Sequence, residues 1–135
     1  MRLARVFWTL LALDVAVGLV INLILAIVQP SPAGEVGTSL IRFLSYFTEE
    51  SNLFVLAAVA PLATDPQRDG SAWRILRVMS LLGITITGLV YGIVLAPTSH
   101  PHGVAAIANV LLHYVSPVMM IGGWLAFGPR TRVTA

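Results

Sequence analysis

Four long, nearly uncharged stretches leave this 135-residue chain few folds to choose from. A helix needs about 20 mostly apolar residues to cross a bilayer. Residues 6–28, 39–63, 78–96 and 104–127 each reach or approach that length. They stop at Gln29-Pro30-Ser31-Pro32, Thr64-Asp65-Pro66, Pro97 and Gly128-Pro129-Arg130, the proline and glycine clusters that end helices. The expected fold is an all-α, polytopic membrane helical bundle with four transmembrane helices in a single domain spanning 1–135. The first run is longer than the apolar core of a signal peptide, and no clear small-residue cleavage site follows it. It is therefore read as a retained helix.

Composition agrees. The chain is 57% hydrophobic and 10% charged, against about 25% charged in soluble domains. All eight basic residues are arginine, and the absence of lysine excludes Schiff-base chemistry. The absence of cysteine excludes thiol catalysis, disulfides and iron–sulfur clusters. The arginines flank apolar runs and form no basic patch, so no nucleic-acid partner is expected. Arg2 and Arg5 precede the first run, Arg68, Arg74 and Arg77 lie between the second and third, and Arg130 and Arg132 follow the fourth. By the positive-inside rule both termini and the middle loop are expected on the cytoplasmic side of a cell (inner) membrane. Arg42 stands apart, near the outer end of the second run, where it can snorkel or pair with an acid. Trp8, Trp73 and Trp124 fall near the expected cytoplasmic ends, where an interfacial aromatic belt would sit.

Polar residues inside membrane helices are costly and usually face the protein interior. Counted from the outer surface, Thr48, Thr87 and His113 each lie roughly nine residues in, about 13 Å deep. Ser45, Thr48, Glu49 and Asn52 recur at helical spacing on one face; so do Asn109, His113 and Ser116, and so do Ser80, Thr87 and Tyr91. Three polar stripes in the outer halves of three helices are expected to line one pocket. Plainer roles compete with this. Ser80 and Thr85 suit bonding back to their own helix carbonyls. Gly88 and Gly92 form a small-xxx-small packing pair. Glu49 and Glu50 suit an ion pair with Arg42, and His100 and His102 a solvated loop.

The economical chemistry is a nucleophile with a base. A threonine hydroxyl attacks only when a neighbour takes its proton, and neutral imidazole is the common acceptor. Thr48 and His113 supply that pair. Asn52, Asn109, Ser45 or Tyr91 can donate to a developing oxyanion, and Glu49 or Glu50 can orient the imidazole. No cofactor is expected. A bis-histidine haem needs two intramembrane histidines, and no HExxH-like spacing supports zinc. The competing reading is a small oligomeric membrane transporter or binding protein in which Glu49 or Glu50 carries protons and substrate.

Three segments, RFLSYFTEESNL at 42–53, GITITGLVYGIVLAP at 83–97 and LLHYVSPVMMIGGWLAFGPR at 111–130, resemble a bacterial family of integral membrane proteins. That family is related to the androgen-induced-protein family of membrane threonine hydrolases. The resemblance implies hydrolysis of esters joining a fatty acid to a hydroxy fatty acid, and hence a role in lipid metabolism. It implies Thr48 as the nucleophile and His113 as its partner. The chain departs from the family pattern at Glu50, Asn109 and Gly92, where glutamine, aspartate and histidine are usual. The family has six helices where this reading finds four. The missing pair points to a homo-oligomer, a more open pocket or a non-catalytic member.

Overall fold

The computed structural model describes residues 2–29, 37 and 46–128. Among them the chain is all-α: α1 (Arg2–Val28), α2 (Phe47–Thr64), α3 (Ser71–Leu95) and α4 (Val104–Phe127). Helices α1, α3 and α4 are long and apolar enough to cross a membrane; α2 is shorter, carries Glu49 and Glu50 in its first turn, and is not among those three. The α1 helix packs on α2 and α4, and α3 packs on the same two, which closes a four-helix bundle.

The core follows from the spacing of side chains along α1. Ala4, Trp8, Leu11, Val15 and Leu19 are buried at steps of four, three, four and four residues, which keeps them on one stripe. Leu10, Leu13, Val17, Val20 and Ile24 point the other way and are exposed. An apolar outer face suits a helix whose solvent is hydrocarbon. Val55, Val59 and Leu62 of α2, Ile84 of α3, and Leu112 and Met120 of α4 complete the core. Two of the three tryptophans expected at the membrane interface belong to this core. Trp8 is 1% and Trp73 is 7% exposed, and the Trp73 indole donates to the Ala58 carbonyl at 3.1 Å. Both rings bury apolar area inside the bundle, but only Trp73 has its N–H paired there; the Trp8 Nε1 has no partner among the described residues. Trp124 is exposed.

Three boundaries differ from the apolar runs. The α1 helix begins at Arg2, ahead of the run from residue 6, and α3 begins at Ser71, ahead of the run from Val78. A helix does not stop where the hydrocarbon does, and Arg74 is held in the first turn of α3 by Asp69 at 2.6 Å. At α2 the backbone of Tyr46 is extended (φ −74°, ψ 127°), so the helix starts at Phe47; the expected stretch 39–45 lies outside the described residues.

Helices α3 and α4 each contain one π turn, at Tyr91–Leu95 and Leu111–Val115. Their hydrogen bonds close one residue wider than α-helical ones, from Ala96 N to Tyr91 O (2.7 Å) and from Ser116 N to Leu111 O. Each turn ends two residues before a proline, Pro97 and Pro117. A proline lacks the N–H for its i−4 carbonyl and its ring collides with that carbonyl. The carbonyls concerned belong to Ile93 and His113, inside the two π turns. Widening the preceding turn relieves the collision, so the prolines explain why the turns occur where they do.

Candidate active site

The two π turns face each other across the bundle. The Tyr91 and His113 rings lie 4.0 Å apart between centroids and 30° from parallel, a tilted stack that fixes the imidazole plane. Tyr114 meets Tyr91 edge-on at 5.5 Å.

The hydrogen bonds of His113 fix its tautomer. Its Nδ1 lies 3.1 Å from the Asn109 carbonyl oxygen, which can only accept. Nδ1 therefore carries the hydrogen, and in a neutral ring Nε2 is left with a lone pair. The Thr48 Oγ1 stands 3.2 Å from that Nε2 and donates to it. Two side chains 65 positions apart thus meet with the hydroxyl proton aimed at the basic nitrogen. Helices α2 and α4 run in the same direction and rise at equal steps, which explains why residues at equal expected depth come together.

Behind the pair sits Asn52, with no exposed surface. Its Nδ2 donates to the Thr48 carbonyl (2.9 Å) and the Leu112 carbonyl (3.3 Å), and its Oδ1 accepts from Ser116 Oγ (2.7 Å). A single amide thereby ties the turn bearing Thr48 to the π turn bearing His113. With both faces of the amide engaged and no exposure, Asn52 does not reach substrate, so its expected role as an oxyanion donor gives way to a structural tie. Asn109 orients His113, but through its backbone carbonyl and not its side chain.

Thr48 and His113 open onto a cavity of about 420 Å³, lined also by Phe47, Glu49, Thr87 and Tyr91. That volume falls within the range of small-molecule sites. Glu49 is 6% exposed, and its Oε1 accepts from the Asn22 amide of α1 at 2.8 Å. Among the described residues it makes no hydrogen bond to the imidazole, whose Nδ1 is taken by Asn109. Glu50 is exposed. Ser45 and Arg42 lie outside the described residues. His113 also borders a second cavity of about 210 Å³, lined by Gly88, Leu89, Tyr114, Pro117, Val118 and Ile121 with Thr85. Among the described residues no three metal-ligating side chains converge.

Thr87 carries a signal that sequence reasoning left unused. Ser80 and Thr85, on the same helix, donate to their own backbone, to Arg77 O (2.9 Å) and Leu81 O (2.6 Å). Thr87 is 4% exposed, and its hydroxyl has no partner among the described residues. Spacing placed it on the polar stripe; that its hydroxyl is left unpaired, unlike those of Ser80 and Thr85, is seen only in the structure.

In comparisons with known protein families, with curated proteins and with solved structures, nothing matches the chain.

Proposed function

We propose that the protein is a membrane-embedded hydrolase of lipid esters, with Thr48 as nucleophile and His113 as base. The observation that carries this reading is the 3.2 Å approach of Thr48 Oγ1 to an Nε2 whose lone pair is secured by the Asn109 contact on Nδ1. As the hydroxyl oxygen attacks the ester carbonyl, its proton passes to Nε2. The tetrahedral intermediate expels the alcohol as His113 returns that proton to the leaving oxygen, and an acyl-threonine ester remains. Water then attacks the acyl carbon with His113 again taking a proton, which releases the acid and restores Thr48. Thr48 lies in the first turn of α2, at the positive end of the helix dipole, which favours negative charge developing beside it.

The resemblance to the androgen-induced-protein family suggests a fatty acid ester of a hydroxy fatty acid as the substrate, reaching the cavity from the bilayer. The arginine distribution favours an inner membrane with both termini cytoplasmic. Because the chain has no cysteine, single cysteines at Gln67 and His102 report orientation directly. Labelling by an impermeant maleimide from outside is expected at 102 only.

A fluorophosphonate probe tests the chemistry. One covalent adduct is expected on the wild-type protein by intact mass, and none on Thr48→Ala. An adduct that persists in Thr48→Ala removes the mechanism.

The burial of Glu49 on the cavity wall favours one other reading, a carboxylate-dependent transporter. Substitution separates the two. A transporter fails with Glu49→Gln and tolerates His113→Ala, whereas the hydrolase fails with His113→Ala.

A further inference from the structure

An ester hydrolase needs a donor for the oxygen that becomes an oxyanion, and the hydroxyl and amide donors expected from sequence do not all supply it. Asn52 has both faces of its amide engaged, and Asn109 contributes a carbonyl. Thr87 has the required features. It lines the same cavity as Thr48 and His113. Neighbouring packing fixes its level in the bundle. Gly83 lies against Ser51, whose Oγ is 3.1 Å from where a Cβ would sit, and α2 and α3 run antiparallel. Thr87, one turn beyond Gly83, therefore falls level with Phe47 and Thr48. On its other side Gly88 faces the His113 carbonyl, 3.6 Å from its Cβ position. Thr87 is thus flanked by the nucleophile on α2 and the base on α4.

Its hydrogen bonding is unusual for a membrane helix. A buried hydroxyl without a partner is destabilising, and a carbonyl of its own helix is the ready remedy. Thr9, Ser80 and Thr85 all take that remedy. Thr87 does not, although its neighbour Thr85 shows that the helix allows it. A donor held free on the wall of a site is preorganised for charge that appears only during reaction.

We propose that Thr87 is a catalytic residue of this site, donating its hydroxyl hydrogen to the carbonyl oxygen of the ester as that oxygen becomes negative. The assignment rests on the hydrolase reading above. When Thr48 Oγ1 bonds to the acyl carbon, the carbonyl π pair moves onto oxygen, and the Thr87 O–H shortens onto it without transferring its proton. Collapse of the intermediate returns that pair to the carbonyl.

The test compares Thr87→Val, Thr87→Ser and the control Thr85→Val in the intact chain, with a p-nitrophenyl acyl ester as substrate and a fluorophosphonate as the probe of Thr48. Valine keeps the shape of threonine and removes the donor. Thr87→Val is expected to lower kcat about 100-fold with KM within about threefold, and to slow fluorophosphonate labelling in parallel, since loss of one oxyanion donor costs about 10²–10³ in kcat. Thr87→Ser is expected to recover most of the rate, and Thr85→Val to match wild type. A Thr87→Val protein with wild-type kcat overturns the role of Thr87 and leaves the Thr48–His113 reading intact. A Thr87→Ser protein as impaired as Thr87→Val assigns the loss to packing and likewise overturns it. A wild-type protein that neither turns over ester nor labels overturns both.

Discussion

Replacing Asn52 by leucine isolates the tie between the two catalytic helices. Leucine keeps the branched shape of asparagine but is the larger side chain, so no cavity forms and a cost of overpacking this fully buried position adds to the lost bonds. What is lost is three hydrogen bonds, to Thr48 O, to Leu112 O and from Ser116 Oγ. Side-chain bonds inside membrane proteins average about 0.6 kcal/mol each, which gives about 2 kcal/mol for the set. Part of this is recovered. Ser116 is four residues after Leu112, so its freed hydroxyl can turn to the Leu112 carbonyl, which satisfies both orphaned groups at once. Lost bonds still outnumber the one regained, and with the overpacking the expected destabilisation is at least about 1–2 kcal/mol. Reversible unfolding in mixed micelles measures it, and a double-mutant cycle with Ser116→Ala is expected to return a coupling of about 0.6 kcal/mol. A loss below about 0.3 kcal/mol, or no coupling, would refute the reasoning that this amide holds α2 to α4.

His113→Gln keeps a polar side chain but supplies no base, and kcat for ester turnover is expected to fall by about 10²–10⁴ with the protein still folded, as read by circular dichroism and initial rates. Gly88→Ala places a Cβ 3.0 Å from Pro117 Cβ, and a proline ring cannot rotate aside, so thermal unfolding is expected to report about 1–3 kcal/mol of destabilisation. Nothing described stands within 4 Å of the Cβ position at Gly92, so Gly92→Ala is expected to be silent in the same experiment. In the loop before α3, hydrogen bonds from the Arg74 guanidinium and the Gly70 N–H hold the Asp69 carboxyl down at about 2, against an ordinary 3.8. A carboxylate with a lowered pKa stabilises the fold above its ordinary value, and that contribution is lost as pH falls from about 4 to about 2. Carboxyl-carbon chemical shifts are expected to give a midpoint near 2 that rises in Arg74→Gln; an unchanged midpoint near 3.8 removes the pairing.

The fold was legible because hydrocarbon imposes a long, uniform apolar pattern, and the runs that include Leu11, Ile84 and Leu112 all became helix. Boundaries were less legible. An arginine such as Arg74 reads as the end of a span although the backbone continues through it, and nothing in SYFTEE marks Tyr46 as extended. The π turns were missed, yet their cause is in the sequence: Pro97 and Pro117, each two residues downstream of a turn. The meeting of Thr48 and His113 could be read from depth, because depth is a simple count along helices of regular rise. The direction of a buried amide cannot be counted, so Asn52 looked like a donor to substrate when its hydrogens go to Thr48 and Leu112. Ser80 and Thr85 bond back to their own helix as their residue types suggested, whereas nothing in the sequence showed that the Thr87 hydroxyl, on the same stripe, would have no partner among the described residues.

The central claim is that Thr48 is acylated with His113 as its base. The direct measurement is an acid quench of the protein during turnover of a p-nitrophenyl acyl ester, followed by peptide mass mapping. The account predicts the acyl group on the peptide carrying Thr48, its absence in Thr48→Val, and little accumulation in His113→Gln. An acyl group on any other residue, or undiminished acylation without His113, contradicts it.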